Sequence, residues 1–153
     1  MVIKKDIVEK LLEHKDPFLF VDEIKEINEN NITTTFKLNR DLCILKGHFP
    51  DFPVLPGVIM IEIINQSALL KMLLDIYESE NIDFEKKIKY KAFVSKIEYF
   101  NFKGVIIPDT NIEIKIEIRK TLIDSFFEVK GKIFEKSMLK CFGCVILYFE
   151  RQG

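Results

Sequence analysis

Residues Gly47 to Gln66 read GHFPDFPVLPGVIMIEIINQ. Two kinds of chain meet in this stretch. Its first part is turn-rich and irregular, and Pro53 and Pro56 close it. After Gly57 the chain turns apolar: Val58, Ile59, Met60, Ile61, Ile63 and Ile64, then Ala68, Leu69, Leu70, Met72, Leu73 and Leu74. Proline suits the first turn of a helix, where its missing N–H is not needed. The β-branched residues alone would also suit a strand. A run of some twenty residues after Pro-Gly favours a helix from Gly57 to about Tyr77. Apolar on every face, such a helix must be buried. At about 1.5 Å per residue it is roughly 30 Å long and spans a small domain.

Working outward, Lys5–His14 places Ile7, Val8, Leu11 and Leu12 on one helical face, with Asp6 as the expected cap. Asp16-Pro17 breaks that helix. Phe18–Ile27 and Ile32–Leu38 read as strands joined by a turn at Asn28–Asn31. Asn39–Phe52 is expected to be irregular and Glu78–Lys87 a loop. Four further strands are expected over Ile88–Phe102, Asn111–Lys120, Asp124–Phe134 and Met138–Glu150, with turns near Thr121–Asp124 and Glu135–Ser137. Asn111–Lys120 alternates cleanly, with Ile112, Ile114, Ile116 and Ile118 set against charged neighbours. The fold class is therefore α+β: one antiparallel sheet wrapped around a central helix, in one domain spanning residues 1–153. One sheet cannot surround a helix completely, so a second copy joined edge to edge is expected to finish the burial.

The 153 residues are 48% hydrophobic and carry a formal net charge of −1. That balance gives no reason to expect nucleic acid or an anionic membrane as partner. The charges within the apolar stretch argue against a membrane-spanning helix, and the charged N-terminus lacks the core of a signal peptide. Cys43, Cys141 and Cys144 do not suggest a disulfide framework. Cys141 and Cys144 form a lone CxxC within an apolar strand, with no histidine close in sequence. They read as core residues rather than metal ligands. The implied setting is reducing and cytoplasmic.

Three groups around the opening stretch carry chemistry. His48 precedes the proline-rich turn, and an imidazole can take and return a proton near neutral pH. A loop histidine is more often a surface or structural residue, and the spacing alone does not decide. Glu62 is the only acidic residue between Asp51 and Asp75. It is either a carboxylate satisfied by Gln66 one turn later, or an acid kept ready to donate a proton in an apolar site. Gly57 and Val58 fall where helix N–H groups have no intrahelical partner, and such groups can hold a carbonyl oxygen that gains negative charge. Together these parts fit removal of a proton alpha to a carbonyl with loss of a beta hydroxyl. No metal or organic cofactor is required.

The stretch resembles the signature of the bacterial (3R)-hydroxyacyl-acyl carrier protein dehydratases of fatty-acid synthesis. HKDPFLFVDEI at His14–Ile24 is similar to that family's opening, a His-x-x-Pro-Phe-x-x-x-Asp pattern. The resemblance implies a hotdog fold and a homodimer, or a hexamer of three dimers, with each active site shared between protomers. It implies His48 as the base for the alpha proton and Glu62, from the other protomer, as the acid toward the hydroxyl. It further implies that the Gly57 N–H, with Val58 beside it, polarises the thioester carbonyl, and that Gln66 belongs to the substrate site. Glutamate at position 62 resembles the plain dehydratases more than the dehydratase-isomerases.

A carrier-bound thioester implies an acidic acyl carrier protein as partner. Lys86, Lys87, Lys89 and Lys91 in KKIKYK are candidates to dock it, against the alternative of a solvated strand edge. The chain departs from the family's pattern at Asp51-Phe52, at Asn65, and after Lys96, where Ile97–Pro108 is longer and Pro108-Asp109 lacks an intervening glycine. Those departures leave room for a specialised relative serving polyene or other secondary lipid synthesis. The rival readings are a hotdog thioesterase, which would use the helix acid to activate water, and a non-catalytic acyl-binding subunit.

Overall fold

The computed structural model describes residues 2–153. In chain order the elements are α1 (Lys5–Leu11), β1 (Glu23–Ile27), β2 (Asn31–Leu38), α2 (Cys43–Lys46), α3 (Gly57–Ser79), β3 (Tyr90–Phe102), β4 (Thr110–Lys120), β5 (Phe126–Glu135) and β6 (Met138–Arg151). The strands form one sheet in the order β1-β2-β4-β5-β6-β3, and every neighbouring pair is antiparallel. α3 lies against β2, β3, β4 and β5. This is the hotdog fold in the α+β class, with the helix expected from the Pro-Gly junction at its centre.

Period-two burial explains the sheet. On β4, Ile112, Ile114, Ile116 and Ile118 face the core while Glu113, Lys115 and Glu117 face out. Thr34 on β2 and Ser67 on α3 are both fully buried and share a 2.7 Å hydrogen bond. Gly131 on β5 lies under α3, where an added Cβ would come within 2.6 Å of Ile64 Cγ2. Glycine there lets helix and sheet approach closely. By length and composition α3 could cross a membrane, which the expectation drawn from its charges had argued against. Its most apolar 18-residue window has mean hydropathy 1.5 and is 72% buried within this structure.

Several local expectations are corrected. α1 stops at Leu11 rather than His14, and Leu12 turns to extended backbone at φ −82°, ψ 140°. Its N-cap is Lys4 with no side-chain bond; Asp6 instead sits in the first turn, where its charge complements the helix dipole. The first strand begins at Glu23, not Phe18. Phe18–Asp22 runs as an extended segment whose Phe20 N–H donates to the Gln66 side chain instead of a neighbouring strand. Asn39–Phe52 contains the short α2, and α3 continues to Ser79. Cys141 and Cys144 are buried on β6, and no metal-holding cluster occurs among the described residues.

β3 occupies one edge of the sheet, bonded to β6 on one side and, among the described residues, to no strand on the other. Along it Phe93, Val94, Ile97, Tyr99 and Phe102 are 44–52% exposed. Phe49, Phe52 and Val58, from the turn before α3 and its first residues, are also exposed. A long apolar edge of this kind is a surface that natural proteins ordinarily cover.

Candidate active site

Pro56 is the N-cap of α3, and its carbonyl accepts from Ile59 N at 3.0 Å and Met60 N at 3.2 Å. The Leu55 N–H is tied to the Ile106 carbonyl at 2.9 Å, which fixes the direction in which the chain joins the helix. The Gly57 and Val58 N–H groups are therefore among the donors that a helix leaves without intrahelical partners. A Cβ at Gly57 would lie 3.1 Å from the Phe102 ring, so glycine lets β3 close over the helix start.

His48 follows α2, and its ring is held by one hydrogen bond. Nδ1 lies 2.9 Å from the Val54 carbonyl oxygen. A carbonyl only accepts, so the neutral tautomer assigned from this contact carries its proton on Nδ1. Nε2 then keeps a free lone pair, the state a proton-abstracting base requires. The ring packs on Phe49 with centroids 4.4 Å apart. Phe49 itself is left-handed at φ 58°, a conformation costing a bulky residue about 1–2 kcal/mol and held only where surroundings determine it.

Glu62 sits one and a half turns into α3. Its Oε1 accepts from Gln66 Nε2 at 2.9 Å. Gln66 is almost fully buried, and its other partners are the Phe18 carbonyl and the Phe20 N–H, each at 2.9 Å. It is therefore a clamp between α3 and the segment ahead of β1. Of the two surroundings weighed for Glu62, the Gln66 contact is present, and His14 also faces the carboxyl. His14 Nε2 lies 3.5 Å from Oε1. Sequence reading did not assign His14; the signal was its place as one of two histidines, opening the HKDPF motif.

Within the protomer the expected groups divide. Gly57, Val58, Glu62 and Gln66 share α3, but no hydrogen bond joins His48 to Glu62 among the described residues. Two clefts of the protomer, one lined by Tyr99, Lys115 and Lys132 and the other by Lys5, Asp22 and Cys43, include none of these groups. Lys86, Lys87, Lys89 and Lys91 are all exposed, and none forms an ion pair among the described residues. They lie where the chain leaves the C-terminal end of α3 and begins β3, the opposite end of the helix from Gly57.

The ApeI-like family model, described as ApeI dehydratase, matches residues 23–137. The chain belongs to this family of hotdog dehydratases. A thioester dehydrase of Halalkalibacterium halodurans, itself uncharacterised, is 30% identical over 146 residues, covering 94% of this chain and 87% of that protein. The 3-hydroxyacyl-acyl-carrier-protein dehydratase FabZ of Clostridium perfringens is 29% identical over 113 residues, 74% of this chain and 75% of that one. Among solved structures, the dehydratase heterocomplex ApeI:P from Xenorhabdus doucetiae superposes with a TM-score of 0.77. It covers 95% of this chain and 91% of that one at 15% identity, which speaks to the fold alone.

Proposed function

We propose that the protein converts (3R)-3-hydroxyacyl thioesters on an acyl carrier protein to trans-2-enoyl thioesters, in fatty-acid or related polyene lipid synthesis. His48 Nε2 takes the alpha proton. The C–H electrons form the new double bond, and the C–O bond to the beta hydroxyl breaks. The partner subunit's Glu62 gives its proton to that hydroxyl, which leaves as water. The Gly57 and Val58 N–H groups steady the thioester oxygen while it carries enolate charge. Gln66 holds Glu62 in place rather than touching substrate.

The observation that carries this reading is the pairing of two held groups, each with one reactive atom left free. His48 is anchored through Nδ1 and keeps Nε2; Glu62 is anchored through Oε1 and keeps Oε2. A shared site is favoured because no hydrogen bond or ion pair joins the two groups within one protomer among the described residues, while the apolar β3 edge is suited to pairing with a second copy. To test the function, the protein is incubated with 3-hydroxyacyl and saturated acyl thioesters. The reading predicts a 2-enoyl product from the first and no free thiol from either. Thiol release without enoyl product would make the protein a thioesterase.

The carrier docks, in this reading, on Lys86, Lys87, Lys89 and Lys91. In one protomer these lie about a helix length from Gly57, roughly 30 Å. An antiparallel β3–β3 pairing would bring the partner subunit's lysines toward the site mouth. Reversing all four charges should weaken carrier-linked turnover and flatten its salt dependence, while sparing small thioester substrates. Unchanged carrier-linked turnover would remove these lysines from the docking surface.

A further inference from the structure

His14 is a titratable side chain that the proposed chemistry does not use. Its Nε2 is 3.5 Å from Glu62 Oε1, and its Nδ1 is buried with no hydrogen-bond partner. A proton on that nitrogen would be an orphaned buried N–H, which native structures rarely tolerate. The tautomer assigned from these contacts carries its proton on Nε2 and directs it at Glu62. Gln66 Nε2 donates to the same oxygen at 2.9 Å. Both donors thus converge on Oε1, and among the described residues no group bonds Oε2. A carboxylic acid whose Oε1 accepts two N–H groups keeps its proton on Oε2.

We propose that His14 is a positioning residue for Glu62: with Gln66 it holds Oε1 as an acceptor, so that the transferable proton sits on Oε2, toward the substrate hydroxyl. The proposal rests on the dehydration reading of the same site. At 3.5 Å the contact is longer than a formed hydrogen bond, and tightening by a few tenths of an ångström on substrate binding completes it, as such contacts do in apo sites. His14 stacks on Phe18, with ring centroids 6.3 Å apart, and the Phe18 carbonyl accepts from Gln66. One short segment therefore braces both of the carboxyl's supports. In turnover the Oε2 proton leaves with the hydroxyl as water, and no proton passes through His14. Among the described residues no other basic side chain lies within ion-pair range of Glu62.

The test uses two variants of the full chain. His14→Phe keeps a ring against Phe18 but has no N–H; His14→Gln restores a donor. The Glu62 carboxyl is titrated by carbon-13 NMR, with its signal assigned by its loss in Glu62→Gln, and turnover is measured alongside. In His14→Phe the Glu62 midpoint should rise, because a lost donor disfavours the carboxylate. Its kcat should fall about tenfold or more, with KM changed less than about twofold. His14→Gln should recover most of both effects. An unmoved midpoint in His14→Phe, or equal midpoints in the two variants, overturns the proposal whether or not the protein turns over thioesters. A moved and rescued midpoint in a chain that does not dehydrate would uphold the contact and sink the dehydratase reading instead.

Discussion

A single bond to the Val54 carbonyl decides which His48 nitrogen is free. Comparable one-residue reasoning applies to Cys141, fully buried on β6, where burial pushes the thiol from its ordinary 9.0 up to about 11. Below pH 9 the thiol is neutral in folded and unfolded chains alike. Between about pH 9 and about pH 11 the unfolded chain ionises and the folded one does not, so stability is lost as pH rises. The loss should reach about 2–3 kcal/mol. Urea denaturation of wild type and Cys141→Ala across that range should show their difference shrinking by this amount; a constant difference would contradict it. At this scale the candidate groups were legible in the sequence, though their roles are proposals. His48 stood beside a proline-rich turn, Glu62 was isolated in an apolar run, and Gly57 followed Pro56. His14 was not legible as a neighbour of Glu62, because the residues are far apart in sequence and only the end of α1 at Leu11 brings them together.

Among the elements, α3 was readable from its unbroken apolar run after Pro-Gly and β4 from its alternation, and apart from β1 the ends of α3 and the strands moved by only a few residues. Phe18–Asp22 was not readable. Its composition has high β-propensity, yet the Phe18 carbonyl and the Phe20 N–H pair with the Gln66 side chain on α3 before Asp22 N–H reaches the Thr35 carbonyl of β2, and a side chain that replaces a strand neighbour leaves no local pattern. The contact of α3 with β5 depends on one missing methyl group. Gly131→Ala would place a Cβ within 2.6 Å of Ile64, whose side chain is fully buried. Overpacking of this kind costs about 1–3 kcal/mol. Thermal unfolding should show that loss in Gly131→Ala, and the double variant with Ile64→Ala should lose less than the sum of the two single changes. Additive effects of the two changes would mean that the pair does not couple.

For the whole molecule, the sheet covers one side of α3 and leaves β3 as an apolar edge, and no hydrogen bond or ion pair joins His48 to Glu62 among the described residues. Sequence reasoning reached the second copy from the same shortage of cover. Which groups would face each other across such a pair is implied only by family resemblance, since no periodicity encodes a contact between chains. The account's central claim is a dehydratase site built from His48 of one protomer and Glu62 of the other. Mixed dimers of His48→Ala and Glu62→Gln test it most directly. Each variant alone should be inactive toward a 3-hydroxyacyl carrier thioester. Mixed, they should recover about a quarter of wild-type turnover, because random pairing makes half the dimers mixed and each mixed dimer holds one intact site of two. No recovery in a sample where mass spectrometry finds mixed dimers would contradict the shared site.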